Sequence, residues 1–151
     1  MELTQIDPEQ DTQFDLKGAR ILIVDDNEMN IMVLGQTLEK WNVIYETAAN
    51  GREALEMVSQ HDYNLILMDL MMPVMDGYEC VRHIRALNGS HSQVSIIALS
   101  ASVSNEVVER VVDAGMDDYL CKPFDPVDLY RKLNKFSNRE HLKPVHIKPK
   151  R

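Results

Sequence analysis

Short apolar runs bounded by turn residues alternate along this chain with amphipathic stretches, the pattern of a mostly parallel sheet whose strands are joined by helices. Five repeats of strand then helix are legible. The first run, Arg20–Val24, is almost wholly aliphatic, as a strand covered on both faces must be. After it, residues 27–40 set Ile31, Leu34 and Leu38 at spacings of three and four, one face of a helix. A second strand at 43–47 leads to a helix opened by Asn50 and Gly51, with Ala54, Leu55 and Val58 inward. The third strand, 64–69, is followed by a proline-containing loop at 70–76 and a helix over 77–87 that buries Val81 and Ile84; residues 88–93 read as a surface loop. The fourth strand, 95–99, precedes Ser104, a good N-cap, and a helix that Gly115 can end in a left-handed conformation. The fifth strand, Asp118–Cys121, is short. Lys122-Pro123 then breaks the chain before a last helix, Pro126–Phe136, with Leu129, Leu133 and Phe136 on one face.

The 151 residues suffice for one compact domain with a core of its own. Residues 1–15 read as a flexible N-terminal linker, 16–136 as the domain, and 137–151 as a C-terminal tail ending in a solvated Lys148-Pro149-Lys150-Arg151. A formal charge of -8 argues against nucleic-acid binding, which needs a basic face to displace counterions from phosphates. No apolar run approaches the ~20 residues that cross a bilayer. The acidic, polar start of the chain lacks the basic-then-apolar pattern of a secretory signal. A cytoplasmic location, with no membrane contact by this domain, is therefore expected. Cys80 and Cys121 lack the paired spacing of zinc or redox sites and read as packing thiols. The five histidines form no metal-ligand spacing.

In an open sheet of this kind ligands bind beyond the carboxyl ends of the strands. Asp25 and Asp26 follow strand one, Asp69 ends strand three, Ser100 follows strand four and Lys122 follows strand five, so residues far apart in sequence are expected to meet there. Three carboxylates cannot sit together ionised unless a cation offsets their repulsion. Mg2+ fits, being hard, oxygen-loving and commonly held by one or two carboxylates plus a phosphate. Asp26 and Asp69 would be direct ligands, with Asp25 holding a metal-bound water. A carboxylate beside Mg2+ can itself act as the nucleophile in phosphoryl transfer, a role that falls to Asp69. Lys122 would supply a positive charge and Ser100 a hydroxyl donor to the phosphoryl oxygens, and no general base is required. Taken singly, Asp25-Asp26 and Ser100 also read as caps, and Lys122 as a solvated loop residue. Their joint placement is what points to chemistry.

At these residues the segments ILIVDDNEMN, LILMDLMMPVMDG, IIALSA and GMDDYLCKP together resemble the receiver domain of two-component response regulators, over about residues 20–136. The resemblance implies a flavodoxin-like α/β fold, a five-stranded parallel sheet of order 2-1-3-4-5 with helices on both faces. It implies that Asp69 accepts a phosphoryl group from a histidine kinase or a histidine phosphotransfer protein. It also implies a Mg2+ site, with Mn2+ as an alternative ion, made by Asp25 or Asp26, Asp69 and the backbone carbonyl of Met71. The hydroxyl switch position falls on Ser100 and the aromatic switch on Tyr119, so that phosphorylation would reshape the face of helix four, strand five and helix five. Ser95 departs from the proline that many members carry before strand four. Leu16-Lys17-Gly18-Ala19-Arg20, with Asn27, Glu28 and Asn30, is similar to receivers attached to hybrid sensor histidine kinases, and no DNA-binding output domain is expected after Phe136. The oligomeric state is not legible.

Other readings weighed against these are a stand-alone single-domain response regulator, a haloacid-dehalogenase-like phosphatase, and a flavodoxin-like cofactor carrier. The phosphatase needs a second aspartate two residues after the nucleophile, where Met71 stands. The carrier needs a phosphate loop of amides and hydroxyls, where Asp25, Asp26 and Glu28 would repel a phosphate.

Overall fold

A computed structural model describes residues 14–102 and 104–137. Five parallel strands, β1 (Arg20–Val24), β2 (Ile44–Ala48), β3 (Leu65–Asp69), β4 (Ser95–Ser100) and β5 (Asp118–Cys121), alternate with helices α1 (Glu28–Lys40), α2 (Gly51–Gln60), α3 (Gly77–Arg85), α4 (Asn105–Ala114) and α5 (Pro126–Phe136). The strands lie in the order β2-β1-β3-β4-β5, as the resemblance implied. Every residue of β3 is buried, whereas the edge strands β2 and β5 keep partly exposed positions. Continuous apolar runs are the sequence mark of strands covered on both faces.

Side chains alternate along each strand and so feed two cores. Leu22, Val24, Ile66 and Met68 meet α2, α3 and α4 through Val58, Val81, Ile84 and Val111. Ile21, Ile23, Leu65 and Leu67 meet α1 and α5 through Leu34, Leu38, Leu129 and Leu133. Each helix starts at the carboxyl end of the sheet behind a side-chain cap, Asn27, Asn50, Asp76, Ser104 and Asp125 in turn, each accepting a backbone N–H from the first turn. Gly115 ends α4 at φ +104°, the left-handed conformation that favours glycine.

Some expectations need correction. Helix α3 stops at Arg85, and the anticipated loop over 88–93 holds a short 3-10 helix, Gly89–Gln93. Arg85 ties this corner together: its guanidinium donates to the carbonyls of Ser92, Val94 and Gly115 and pairs with Asp117 at 3.2 Å. Phe14 and Asp15, expected in a flexible linker, pack on the domain. Phe14 is only 6% exposed and its ring lies 4.5 Å from that of Tyr130 and 6.1 Å from that of Trp41. Asp15 accepts from the Asn42 side chain at 3.0 Å, and Leu16 donates to the Trp41 carbonyl at 2.7 Å. At the other end, Ser137 is fully buried. The rest of both assigned tails lies outside the described residues. Cys80 is buried and its thiol is pushed up to about 12 by burial, fitting a packing role, but Cys121 is exposed.

Candidate functional site

The strand register brings the expected residues to one end of the sheet: Val24 lies opposite Met68, Asp69 opposite Leu99, and Ser100 opposite Cys121. Carboxylate oxygens of Asp25, Asp26 and Asp69 all lie within 4.8 Å of one another. Asp25 is fully buried and Asp69 is 7% exposed, while Asp26 is open to solvent. Lys122 Nζ reaches both buried carboxylates, at 3.6 Å from Asp25 Oδ2 and 3.5 Å from Asp69 Oδ1. The cis Lys122-Pro123 peptide follows it, and the Lys122 amide donates to the Ser100 carbonyl at 2.8 Å, joining the ends of β4 and β5.

Burial and the charge of Asp25 push the Asp69 carboxyl up to about 6, against the lowering effects of Lys122 and the Met71 backbone amide. One ammonium therefore does not neutralise the cluster. An all-oxygen donor set, crowded, buried and left short of positive charge, is a fitting place for a hard divalent cation.

The loop between β3 and α3 is shaped for close approach. Gly77 donates its N–H to the Leu70 carbonyl at 3.0 Å, and a side chain on it would collide with the Asp69 carbonyl. Val74 takes φ +71° while Met75 donates back to Pro73 at 2.7 Å, a tight three-residue turn that is strained for a β-branched residue. Met71 and Val74 are left 75% and 71% exposed beside the carboxylates. Ser100 is buried, and its hydroxyl donates to the Ser102 carbonyl while accepting the Ser102 N–H, so it is turned toward the loop after β4. Tyr119 is half-buried against the α2–α3–α4 core. Lys132 on α5 donates to its carbonyl at 2.7 Å and lies 5.0 Å from its ring centroid.

Asn30 joins the site, although the sequence motifs predict no role for it there. Its side chain donates to Asp25 Oδ2 at 3.3 Å, and the Asn27 amide donates to Asp25 Oδ1 at 2.9 Å. The available signal was position: Asn30 is the third residue of α1 behind the Asn27 cap, from which a polar side chain reaches back over the helix start. Beside it, a groove of about 460 Å3 runs between α1 and the start of α5, lined by Asn30, Val33, Lys122, Pro123 and Phe124 among others. Met29, Met32 and Val33 leave an exposed apolar face on α1. A second cavity, of about 330 Å3 with His61, Tyr63 and His91 in its wall, lies at the amino ends of β3 and β4, away from the carboxylates.

Met71 stands where a haloacid-dehalogenase-like phosphatase would need its second aspartate, and a doubly wound parallel sheet with an acidic cleft at its carboxyl edge is the architecture of a two-component receiver domain. The chain belongs to the response regulator receiver domain family, whose model matches residues 21–134. It is 38% identical over 119 residues to hybrid signal transduction histidine kinase G of Dictyostelium discoideum, covering 78% of this chain and 4% of that protein. The crystal structure of the receiver domain of a Pseudomonas aeruginosa PAO1 sensor histidine kinase, with a magnesium ion coordinated in its active-site cleft, matches with a TM-score of 0.74 at 38% identity, covering 80% of this chain and 98% of that one. The Saccharomyces cerevisiae response regulator Ssk1 receiver, co-crystallised with the histidine phosphotransfer protein Ypd1, matches with a TM-score of 0.74 at 32% identity, covering 84% and 94%. The first curated relatives are far longer, and the chain spans between 4% and 14% of their length. No helix among the described residues is long and apolar enough to cross a membrane.

Proposed function

We propose that Asp69 accepts a phosphoryl group from a phosphohistidine, with Mg2+ held by Asp25, Asp26, Asp69 and the Met71 carbonyl. The observation that carries this is the buried Asp69 carboxylate set between Asp25 and Lys122, in a cluster whose repulsion a single lysine leaves unbalanced. The P–N bond of the donor breaks as a P–O bond to Asp69 forms, and the leaving imidazole keeps the electron pair. Near neutral pH Asp69 is already largely ionised, so no base is needed. Mg2+, when bound, would offset negative charge on the transferring oxygens. Lys122 supplies a fixed positive charge on the same side, and Ser100 exchanges its Ser102 partners for a phosphoryl oxygen. Tyr119 then moves toward the vacated space, and Lys132 links that movement to α5.

The phosphodonor docks on the exposed apolar face of α1 and the neighbouring groove, whose wall includes Lys122, 3.5 Å from Asp69. A histidine kinase or a phosphotransfer protein is the fitting donor, in keeping with the co-crystallised yeast pair. The relatives being histidine kinases, the chain serves as the receiver of a hybrid kinase.

Incubation with acetyl phosphate and Mg2+ followed by intact-mass measurement tests the proposal. A base-labile adduct of one phosphoryl group is expected on the native chain and none on Asp69→Asn. An unmodified native chain, or an adduct that survives the substitution, overturns it. Identical amide spectra for α4 and β5 with and without a phosphoryl mimic would rule out the switch through Tyr119.

A further inference from the structure

Asp25 is the most constrained member of the cluster. Fully buried, it has one oxygen fixed by the Asn27 amide at 2.9 Å, while its other oxygen takes the Asn30 side-chain donor at 3.3 Å and lies 3.6 Å from Lys122 Nζ. The torsion that turns a carboxylate about its last bond is soft. Left with the Asn27 amide and Lys122 alone, the carboxylate is pulled toward the ammonium and pushed by Asp26 and Asp69. The Asn30 amide supplies a neutral second hold on the oxygen that Lys122 approaches, adding no charge to a site that must still attract a cation. Asn30 is itself held in place, because its backbone N–H is the one that caps on Asn27 Oδ1 at 3.0 Å.

We infer that Asn30 is a positioning residue that sets the Asp25 carboxylate for the divalent cation, through the hydrogen bond from its side-chain amide. This rests on the reading of the carboxylate cluster as a Mg2+ site. Groups that orient a metal-binding carboxylate typically govern affinity by about 10-fold or more. A purely structural role, a hydrogen bond to a buried carboxylate, predicts that Asn30→Ala lowers stability and leaves cation binding unchanged.

Mg2+ titration of the full chain by calorimetry, with the wild type, Asn30→Ala and Asn30→Gln compared, tests the inference. Asn30→Ala is expected to weaken Mg2+ binding by about 10-fold. Asn30→Gln, which keeps an amide donor, is expected to recover much of that loss and also covers the case of a poorly folded alanine variant. In the acetyl phosphate reaction the Mg2+ concentration at half-maximal rate rises for Asn30→Ala, and the rate at saturating Mg2+ does not fall. Equal Mg2+ affinity for wild type and Asn30→Ala, or a lowered maximal rate with unshifted Mg2+ dependence, overturns the role of Asn30 and leaves the cluster reading standing. A wild type that binds no Mg2+ overturns both.

Discussion

Asp69 has a buried carboxylate neighbour and an ammonium 3.5 Å away, and its proton is held more tightly in the folded domain than in the unfolded chain. Its carboxyl is pushed up to about 6 by burial first and by Asp25 second. A group with a raised folded-state value of this kind costs stability once it ionises. Without divalent cation, the domain should therefore lose stability as pH rises from about 4, the ordinary carboxylate value, to about 6, on the order of 3 kcal/mol in all. Asp69→Asn removes that cost. Urea unfolding in chelator should find the Asp69→Asn variant more stable than the wild type at pH 7 and the two equal below pH 4. Glu46 acts in the opposite sense, because the Tyr63 hydroxyl and then Arg20 hold it below its usual range. Its contribution is present at neutral pH and is lost as acid protonates it.

At the scale of elements, α1 and α5 are joined by more than the sheet beneath them. The segment leading into β1 crosses both: the Phe14 ring sits against Trp41 and Tyr130, and the Asp15 amide donates to the Tyr130 hydroxyl at 3.2 Å. Truncating Phe14 to Ala should cost about 3 kcal/mol in denaturant unfolding, as for other buried aromatics; a cost near zero would mean that this segment packs only loosely. Strands and helices were legible because each carries its own period and its own cap. Phe14 was not, since a single aromatic in a polar stretch has no period. The 3-10 helix at Gly89–Gln93 was hidden for a similar reason, being held by Arg85, a residue of another element. Asn30 read as one polar helix residue among several until the strand end placed Asp25 beneath it.

The whole molecule gathers Asp25, Asp26, Asp69, Ser100 and Lys122 from the ends of β1, β3, β4 and β5. That gathering was legible from strand order alone, because parallel strands put all their carboxyl ends on one edge. The orientation of the Ser100 hydroxyl toward Ser102 was not, since it depends on a loop contact. Because the cluster forms only in the folded chain, Mg2+ should stabilise the entire domain. At a hundredfold excess over its dissociation constant the gain is about 2.7 kcal/mol, which for a domain of this size raises the thermal midpoint by roughly 10 °C. Asp69→Asn should lose most of that rise, and Ca2+ should reproduce it poorly if the site demands the smaller ion.

Trp41, the only tryptophan in the chain, is fully buried, with the Phe14 and Tyr130 rings against it. Its emission is thus an unlabelled optical gauge of the seam between α5 and the segment that leads into β1. Any event at Asp69 that loosens this seam will register as a red shift of a single fluorophore, separable from changes at the acidic cleft itself.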